Sequence, residues 1–405
     1  MQTNTGHLSY CTNIHPGESW DAHFEQLQQN IPFIKSQVSP GKPFGIGLRL
    51  ANKASLELSK EPALLAFKQW LKEQDCYVFT MNGFPYGGFH HTVVKDQVHA
   101  PDWTTDERVQ YTNRLFRILA SLLPGGMEGG ISTAPLSYKL WHSDKEAAME
   151  NATLNLLQVL GQLVRIHRAG GPLMHIDIEP EPDGLMENSQ EFIDWYFAYL
   201  MPLGINYLMD QFDITEKDAG AAVKAHVQLC YDVCHFALVY ESPAAVLAKM
   251  AEYGLKIGKL QISAALKAAM PADETERNAV ANAFATFNEP TYLHQVIARK
   301  AGGGFVHYPD LPQALEDVAN KEVVEWRSHF HVPIFIEHYE LLYSTQSDIR
   351  AVLQLQREQL FTQHMEVETY TWGVLPADLK LPMDQSVSRE IAWVKEQLGF
   401  VKSEI

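Results

Sequence analysis

The feature that most constrains this chain is a rhythm: strand-like runs alternate with helix-length amphipathic runs, and no linker, low-complexity tract or internal repeat interrupts them. Residues 8–15 read as a strand that stops at Pro16-Gly17, and residues 18–34 carry helical spacing. Residues 44–50 form a second strand, and residues 55–72 a helix interrupted by Pro62. A third strand, residues 76–82, runs into the glycine- and aromatic-rich loop 83–91. A helix over 106–123, a strand over 130–135 and a long helix over 147–168 then lead to Met174-His175-Ile176-Asp177-Ile178-Glu179. After a helical pattern at 190–208, residues 226–232 and 257–263 supply the sixth and seventh strands.

Strictly alternating strands and helices give a parallel sheet wrapped by helices. An open, doubly wound sheet that binds nucleotides carries a glycine fingerprint after an early strand, and none is present. The expected fold class is therefore α/β, a (β/α)8 TIM barrel forming one domain over residues 1–405. Beyond the seventh strand the rhythm breaks. Residues 292–298 and 304–308, separated by Arg299-Lys300-Ala301-Gly302-Gly303, read as a β-hairpin inserted at about 290–310. Residues 329–337 and 366–372 then compete for the eighth strand. The second is favoured, because Glu366, Glu368 and Tyr370 share a face and residues 386–398 supply a last helix. In the alternative, the barrel closes with Glu337.

Composition narrows the partners. With 32 basic and 49 acidic side chains the net charge is -17, which opposes attraction to nucleic acid or anionic membranes. No apolar run is long enough to span a bilayer, and Met1 to Tyr10 show no basic start followed by an apolar core, so a cytoplasmic protein without a signal peptide or membrane insertion is expected. The cysteines match neither a redox nor a zinc-finger spacing.

In a barrel of this kind the chemistry sits where the strands end. The polar residues there are Asn13 and His15, Arg49, Asn82, Ser132, Glu179, Asp232 with His235, Gln261, and Glu368 or Glu337. Converging carboxylates raise one another's pKa unless a cation compensates them. Oxygen-rich ligands with an imidazole suit manganese, magnesium or cobalt, and also zinc. Several assignments have competitors. Glu179 has a possible ion-pair partner in Arg49, Asp232 and His235 could simply brace a loop, and Glu366 lies deep enough to bridge to Lys259. The Phe84-Pro85-Tyr86 segment reads equally as a plain turn or as an apolar wall over a substrate.

Asp232-Val233-Cys234-His235 at a strand end, Glu179 one βα unit earlier and a late glutamate resemble the xylose-isomerase-like TIM barrels. That superfamily includes sugar isomerases, keto-sugar epimerases and phosphodiesterases of the endonuclease IV type. Leu8-Ser9-Tyr10-Cys11-Thr12-Asn13-Ile14-His15-Pro16-Gly17-Glu18 and Met365-Glu366-Val367-Glu368-Thr369-Tyr370-Thr371-Trp372 resemble the metabolite-traffic protein EboE family. The superfamily resemblance implies a metal held by Glu179, Asp232, Gln261 and Glu368, with Glu179 and Glu368 exchanging protons with the substrate. His15, Arg49, Asn82, His235, His294 and His331 are the expected substrate contacts, and Glu337 is the alternative late carboxylate. Gln261 stands where the epimerases place a histidine, and His294 or His331 could replace that imidazole.

Three functions follow as expectations. The first is a divalent-metal-dependent isomerase or epimerase acting on a small polyhydroxylated metabolite within a trafficking pathway. The second is a barrel that binds such a metabolite without turnover. The third is a metal phosphoesterase, which the charge disfavours for nucleic acid.

Overall fold

A computed structural model describes residues 1–88, 94–370 and 381–400. Eight parallel strands make up most of the nine-stranded central sheet, the ninth being the short antiparallel edge Gln2–Thr3: β1 Gly6–Tyr10, β2 Phe44–Arg49, β3 Cys76–Asn82, β4 Gly129–Thr133, β5 Met174–Ile178, β6 Val227–Asp232, β7 Ile257–Ile262 and β8 His364–Val367. Each strand from β2 to β8 pairs in parallel with the next, and β8 pairs with β1. Between β1 and β2 the main-chain ladder thins to a single parallel bridge, Cys11 to Gly47. A side chain spans the gap there: the Ser9 hydroxyl donates to Gly45 O (2.8 Å) and accepts from Gly47 N–H (2.9 Å). The result is a nearly closed α/β barrel, whose strands are buried on both faces and read as dense apolar runs for that reason.

Several boundaries moved for local reasons. The first strand ends at Tyr10, and Thr12–Ile14 is a 3-10 turn that lifts Asn13 and His15 over the barrel rim. The helix expected across 55–72 is two helices, Asn52–Leu58 and Glu61–Glu73. Pro62 lies in the first turn of the second, where its missing N–H has no intrahelical role, so it starts a helix instead of kinking one.

The larger correction concerns the region after β7. Val296–Lys300 and Phe305–Tyr308 pair antiparallel, but they do not stand alone as an inserted hairpin. They are two strands of a six-stranded sheet completed by Leu266–Ala269, Val323–Ser328, His338–Tyr339 and Leu342–Ser344. Residues 329–337 are not a strand. Pairing stops at Ser328, and the chain turns inward with His329 N–H bound to Gln295 O and Val332 N–H to Ala264 O. β8 is the strand containing Glu366; residues 371 and 372 of the expected 366–372 run lie outside the described residues, as do 89–91 of the aromatic loop. No described helix is long and apolar enough to cross a membrane.

Candidate active site

Three barrel strands deliver carboxylates to one point. Glu179 follows β5 directly, and its N–H donates to Thr133 O at 3.0 Å, so the parallel register with β4 carries it to the rim before Pro180 ends the strand. Asp232 closes β6 and caps the helix Val233–Leu238: its Oδ1 accepts from His235 N–H (3.1 Å) and from the Ser263 hydroxyl (2.6 Å). The Asp-x-x-His spacing is thus a capping geometry. It leaves Oδ2 aimed elsewhere. Glu368 follows β8, its N–H held by Ile262 O at 3.0 Å.

One carboxylate oxygen from each of Glu179, Asp232 and Glu368 lies within 4.8 Å of the others, and all three residues are buried. Burial and then the neighbouring Asp232, Glu368 and Glu181 charges push Glu179 well above the ordinary carboxylate range. Glu368 is pushed up to about 8 by burial and Asp232, against the hydrogen bond from Gln261. Glu179 Oε2 and Asp232 Oδ2 have no hydrogen-bond partner among the described residues. Buried carboxylates this close together, two of them with orphaned oxygens, are what a divalent cation satisfies, so the donor set fits one.

Glu368 is oriented by amides. Asn13 and Asn82 donate to its Oε1 at 2.6 and 3.0 Å, and Gln261 donates to its Oε2. A carboxylate demands a donor, so the Gln261 NH2 faces Glu368 and its oxygen faces Cys230. Gln261 is therefore not placed as an oxygen ligand. It braces one.

Beside the carboxylates lies a cluster that the sequence reading only half identified. His329 Nε2 is 3.2 Å from both His235 Nε2 and His331 Nε2. The Nδ1 atom of each ring faces an acceptor: Pro180 O for His235 (3.2 Å), Gln295 Oε1 for His329 (2.8 Å) and Glu368 O for His331 (3.2 Å). That network puts the protons on Nδ1 and the lone pairs on the converging Nε2 atoms. Burial and the flanking rings hold His329 well below the ordinary histidine value, and burial holds His331 near 4 against the Asp232 charge. Glu181 also points here: its Oε2 is 3.8 Å from His235 Nε2, and its Oε1 is 3.0 Å from His99 Nε2.

The cavity above the mouth is lined by Glu179, Glu181, His235, His329, His331 and Glu368, with Asn13, Asn82, Gln295, Tyr292 and Tyr370. Phe84 and Pro85 join the lining, so this segment walls the cavity, while Tyr86 turns away to pack on Tyr111. Other expected contacts lie elsewhere. Arg49 binds the Pro85 and Gly87 carbonyls and lies 3.5 Å from Glu18, so it braces the loop and does not pair with Glu179. His15 is buried against the Tyr10 hydroxyl (2.7 Å). His294 bonds His329 O and Glu289 at 3.0 Å each and stacks on Phe330, which leaves neither ring nitrogen for the mouth. Glu337 is exposed, outside the cavity.

His329 and Glu181 are the residues missed. Both share parity with residues that were named, His331 and Glu179, and that i, i+2 relation was the available signal.

No protein-family model and no curated protein matches this sequence. Among solved structures, the chain is similar to the IOLI protein with a binding zinc atom (12% identity, 97% of this chain and 98% of that one, TM-score 0.48). It is also similar to a xylose isomerase-like TIM barrel protein from Mycobacterium smegmatis in complex with magnesium (11%, 97% and 96%, TM-score 0.49). A third is the 3-keto-D-glucoside 4-epimerase YcjR from E. coli (12%, 96% and 98%, TM-score 0.43). At this distance the chemistry rests on the chain's own residues.

Proposed function

We propose that this chain is a divalent-metal-dependent isomerase or epimerase acting on a small polyhydroxylated carbonyl compound. The observation that carries the reading is the group Glu179, Asp232 and Glu368, buried together with Glu179 Oε2 and Asp232 Oδ2 orphaned among the described residues, and with Glu179 and Glu368 lining the cavity. Those three carboxylates would hold the cation, with His331 or His235 as the imidazole that Gln261 does not provide. When bound, a divalent cation supplies Lewis acidity to adjacent substrate oxygens and stabilises charge developing on them.

The residues divide the remaining work. Glu179 and Glu368 rise from β5 and β8, which two strands separate around the barrel, so they approach a bound substrate from different sides as base and acid. Asn13, Asn82 and Gln261 fix the Glu368 carboxylate for that transfer. Phe84 and Pro85 exclude water from the reacting carbon. The resemblance of both chain ends to the metabolite-traffic family supports a place for this reaction in the handling of a secondary metabolite.

The test is solvent-deuterium incorporation at a substrate carbon across a panel of aldoses, ketoses and keto-sugars, with bound metal quantified. Glu179→Gln and Glu368→Gln should each lower turnover by about 10²–10⁴-fold with the fold unchanged. A folded protein that binds no divalent metal would sink the reading. Ligand binding that survives with no turnover in any form would favour a non-catalytic carrier.

A second reading is supported by the three imidazoles. His235 and His329 with Glu181 could hold another cation beside the first, an arrangement suited to hydrolysis of a phosphate ester. The net charge of -17 favours a small ester over a nucleic acid. Release of inorganic phosphate from small esters, without deuterium exchange, would select it.

A further inference from the structure

The opposite end of the barrel holds a second polar cluster that the mouth chemistry does not use. His175 and His364 begin β5 and β8, and Glu128 immediately precedes β4, so all three sit at the strands' N-terminal ends. Polar side chains there normally serve stability and are satisfied. Here they are not. His364 is fully buried and stacks on His175 with ring centroids 5.1 Å apart. Neither of its ring nitrogens completes a hydrogen bond among the described residues, although the Glu128 backbone lies close enough to favour its charged form.

His175 is prepared for ligation. Its Nδ1 donates to Asp177 Oδ1 at 2.6 Å, which fixes the tautomer and leaves Nε2 with the lone pair. A carboxylate behind an imidazole is the usual outer partner of a metal-bound histidine. The room for this pair is built into the neighbouring strands. A Cβ on Gly258 would lie 1.9 Å from Asp177 Oδ1, and one on Gly130 would lie 2.4 Å from His175 Cε1. One ligand atom each from Glu128, His175 and His364 falls within 4.8 Å of the others. A solvent-open cavity of about 740 Å³, lined by His7, Glu128 and His364 with the Gly125-Gly126 and Gly170-Gly171 turns, reaches Glu128 and His364, and His175 lies behind His364.

We propose that Glu128, His175 and His364 form a separate site for a divalent transition-metal cation at the closed end of the barrel. Two imidazoles and one carboxylate suit zinc or cobalt, with water from the cavity completing the coordination. The site is independent of the mouth: it shares no ligand with Glu179, Asp232 or Glu368.

The experiment uses the full chain, stripped of metal by chelator and titrated with cobalt(II), reading bound equivalents and the visible absorption of nitrogen-ligated cobalt. The parent should bind one equivalent more than His364→Phe, a substitution that keeps an aromatic ring against Phe79. Glu128→Gln, at a half-buried position, should weaken that same equivalent by at least tenfold and covers the case in which His364→Phe fails to fold. Glu179→Gln should leave this equivalent and its spectrum intact while reporting separately on the mouth. Parental stoichiometry and affinity in the Glu128→Gln protein, or in a folded His364→Phe protein, would overturn the proposal.

Discussion

Gln261 donates its side-chain N–H to Glu368, so the amide braces this buried carboxylate with its nitrogen and turns its oxygen away. With Asn13 and Asn82 it gives one buried carboxylate a cradle of amide donors. The cradle opposes the burial and the Asp232 charge that push Glu368 to about 8. A cation needs Glu368 ionised. Removing a donor should therefore raise the Glu368 pKa further and weaken metal binding. Gln261→Leu should bind metal about ten- to a hundredfold less tightly near neutral pH, the range seen for lost outer-shell partners. The deficit should shrink as the pH rises from about 8, where the parent carboxylate ionises, towards the variant's still higher pKa. Competition with a chelating dye across pH measures it, and a pH-independent deficit would assign Gln261 another role.

One layer below, Lys259 and Glu366 form an ion pair with both side chains fully buried. Burial opposes the lysine's charge, but Glu366 outweighs it and holds the ammonium above the ordinary value. Lys259 Nζ also reaches the Ser132 hydroxyl at 3.2 Å, and Gly47 leaves the space Glu366 occupies. Lys259→Met strands a buried carboxylate and should cost about 3–5 kcal/mol in urea unfolding, whereas Lys259→Met with Glu366→Leu should recover most of it. Equal losses in the single and double variants would contradict this.

That pair marks how far the sequence could be read. Strand parity placed Glu366 deep and Glu368 at the rim, and named Lys259 as the partner, because period-two alternation fixes which side chains share a face. The parallel rhythm made the barrel legible for the same reason. Parity does not say how an irregular segment turns. Residues 329–337 looked like a strand, yet their path inward depends on long-range hydrogen bonds to Gln295 and Ala264, and this hid His329. Arg49 and His294 have the right chemistry for a mouth, but their partners, Glu18 and the 83–88 loop for one and Glu289 for the other, are set by tertiary packing that spacing does not encode.

The glycines at the closed end supply a stability test. Gly258→Ala would put a methyl group 1.9 Å from Asp177 Oδ1 inside a close-packed barrel, so it should destabilise by about 1–3 kcal/mol or more. Adding Asp177→Ala should return part of the loss. Gly125→Ala, where a Cβ meets nothing within 4 Å, should stay within about 0.5 kcal/mol of the parent. Denaturant midpoints compare all of them, and a neutral Gly258→Ala would show that this layer has slack.

Glu390, which is in neither proposed metal site, predicts how stability depends on pH. It is buried, accepts from the Thr369 hydroxyl (2.7 Å) and Ile334 N–H (3.1 Å), and has no cation beside it among the described residues. Burial pushes it up to about 8, against those two hydrogen bonds. The folded state therefore holds a proton that the unfolded chain releases near its ordinary value of 4.5. Protons favour the fold: the contribution is fully present below 4.5 and is lost as pH rises through about 8. The slope across that window is up to about 1.4 kcal/mol per pH unit. Glu390→Gln keeps an acceptor for both donors and cannot ionise. It should match the parent near pH 4 and exceed it at pH 9 in thermal or urea unfolding. If the two proteins lose stability in parallel between those values, Glu390 is ionised in the fold and another group carries the alkaline transition.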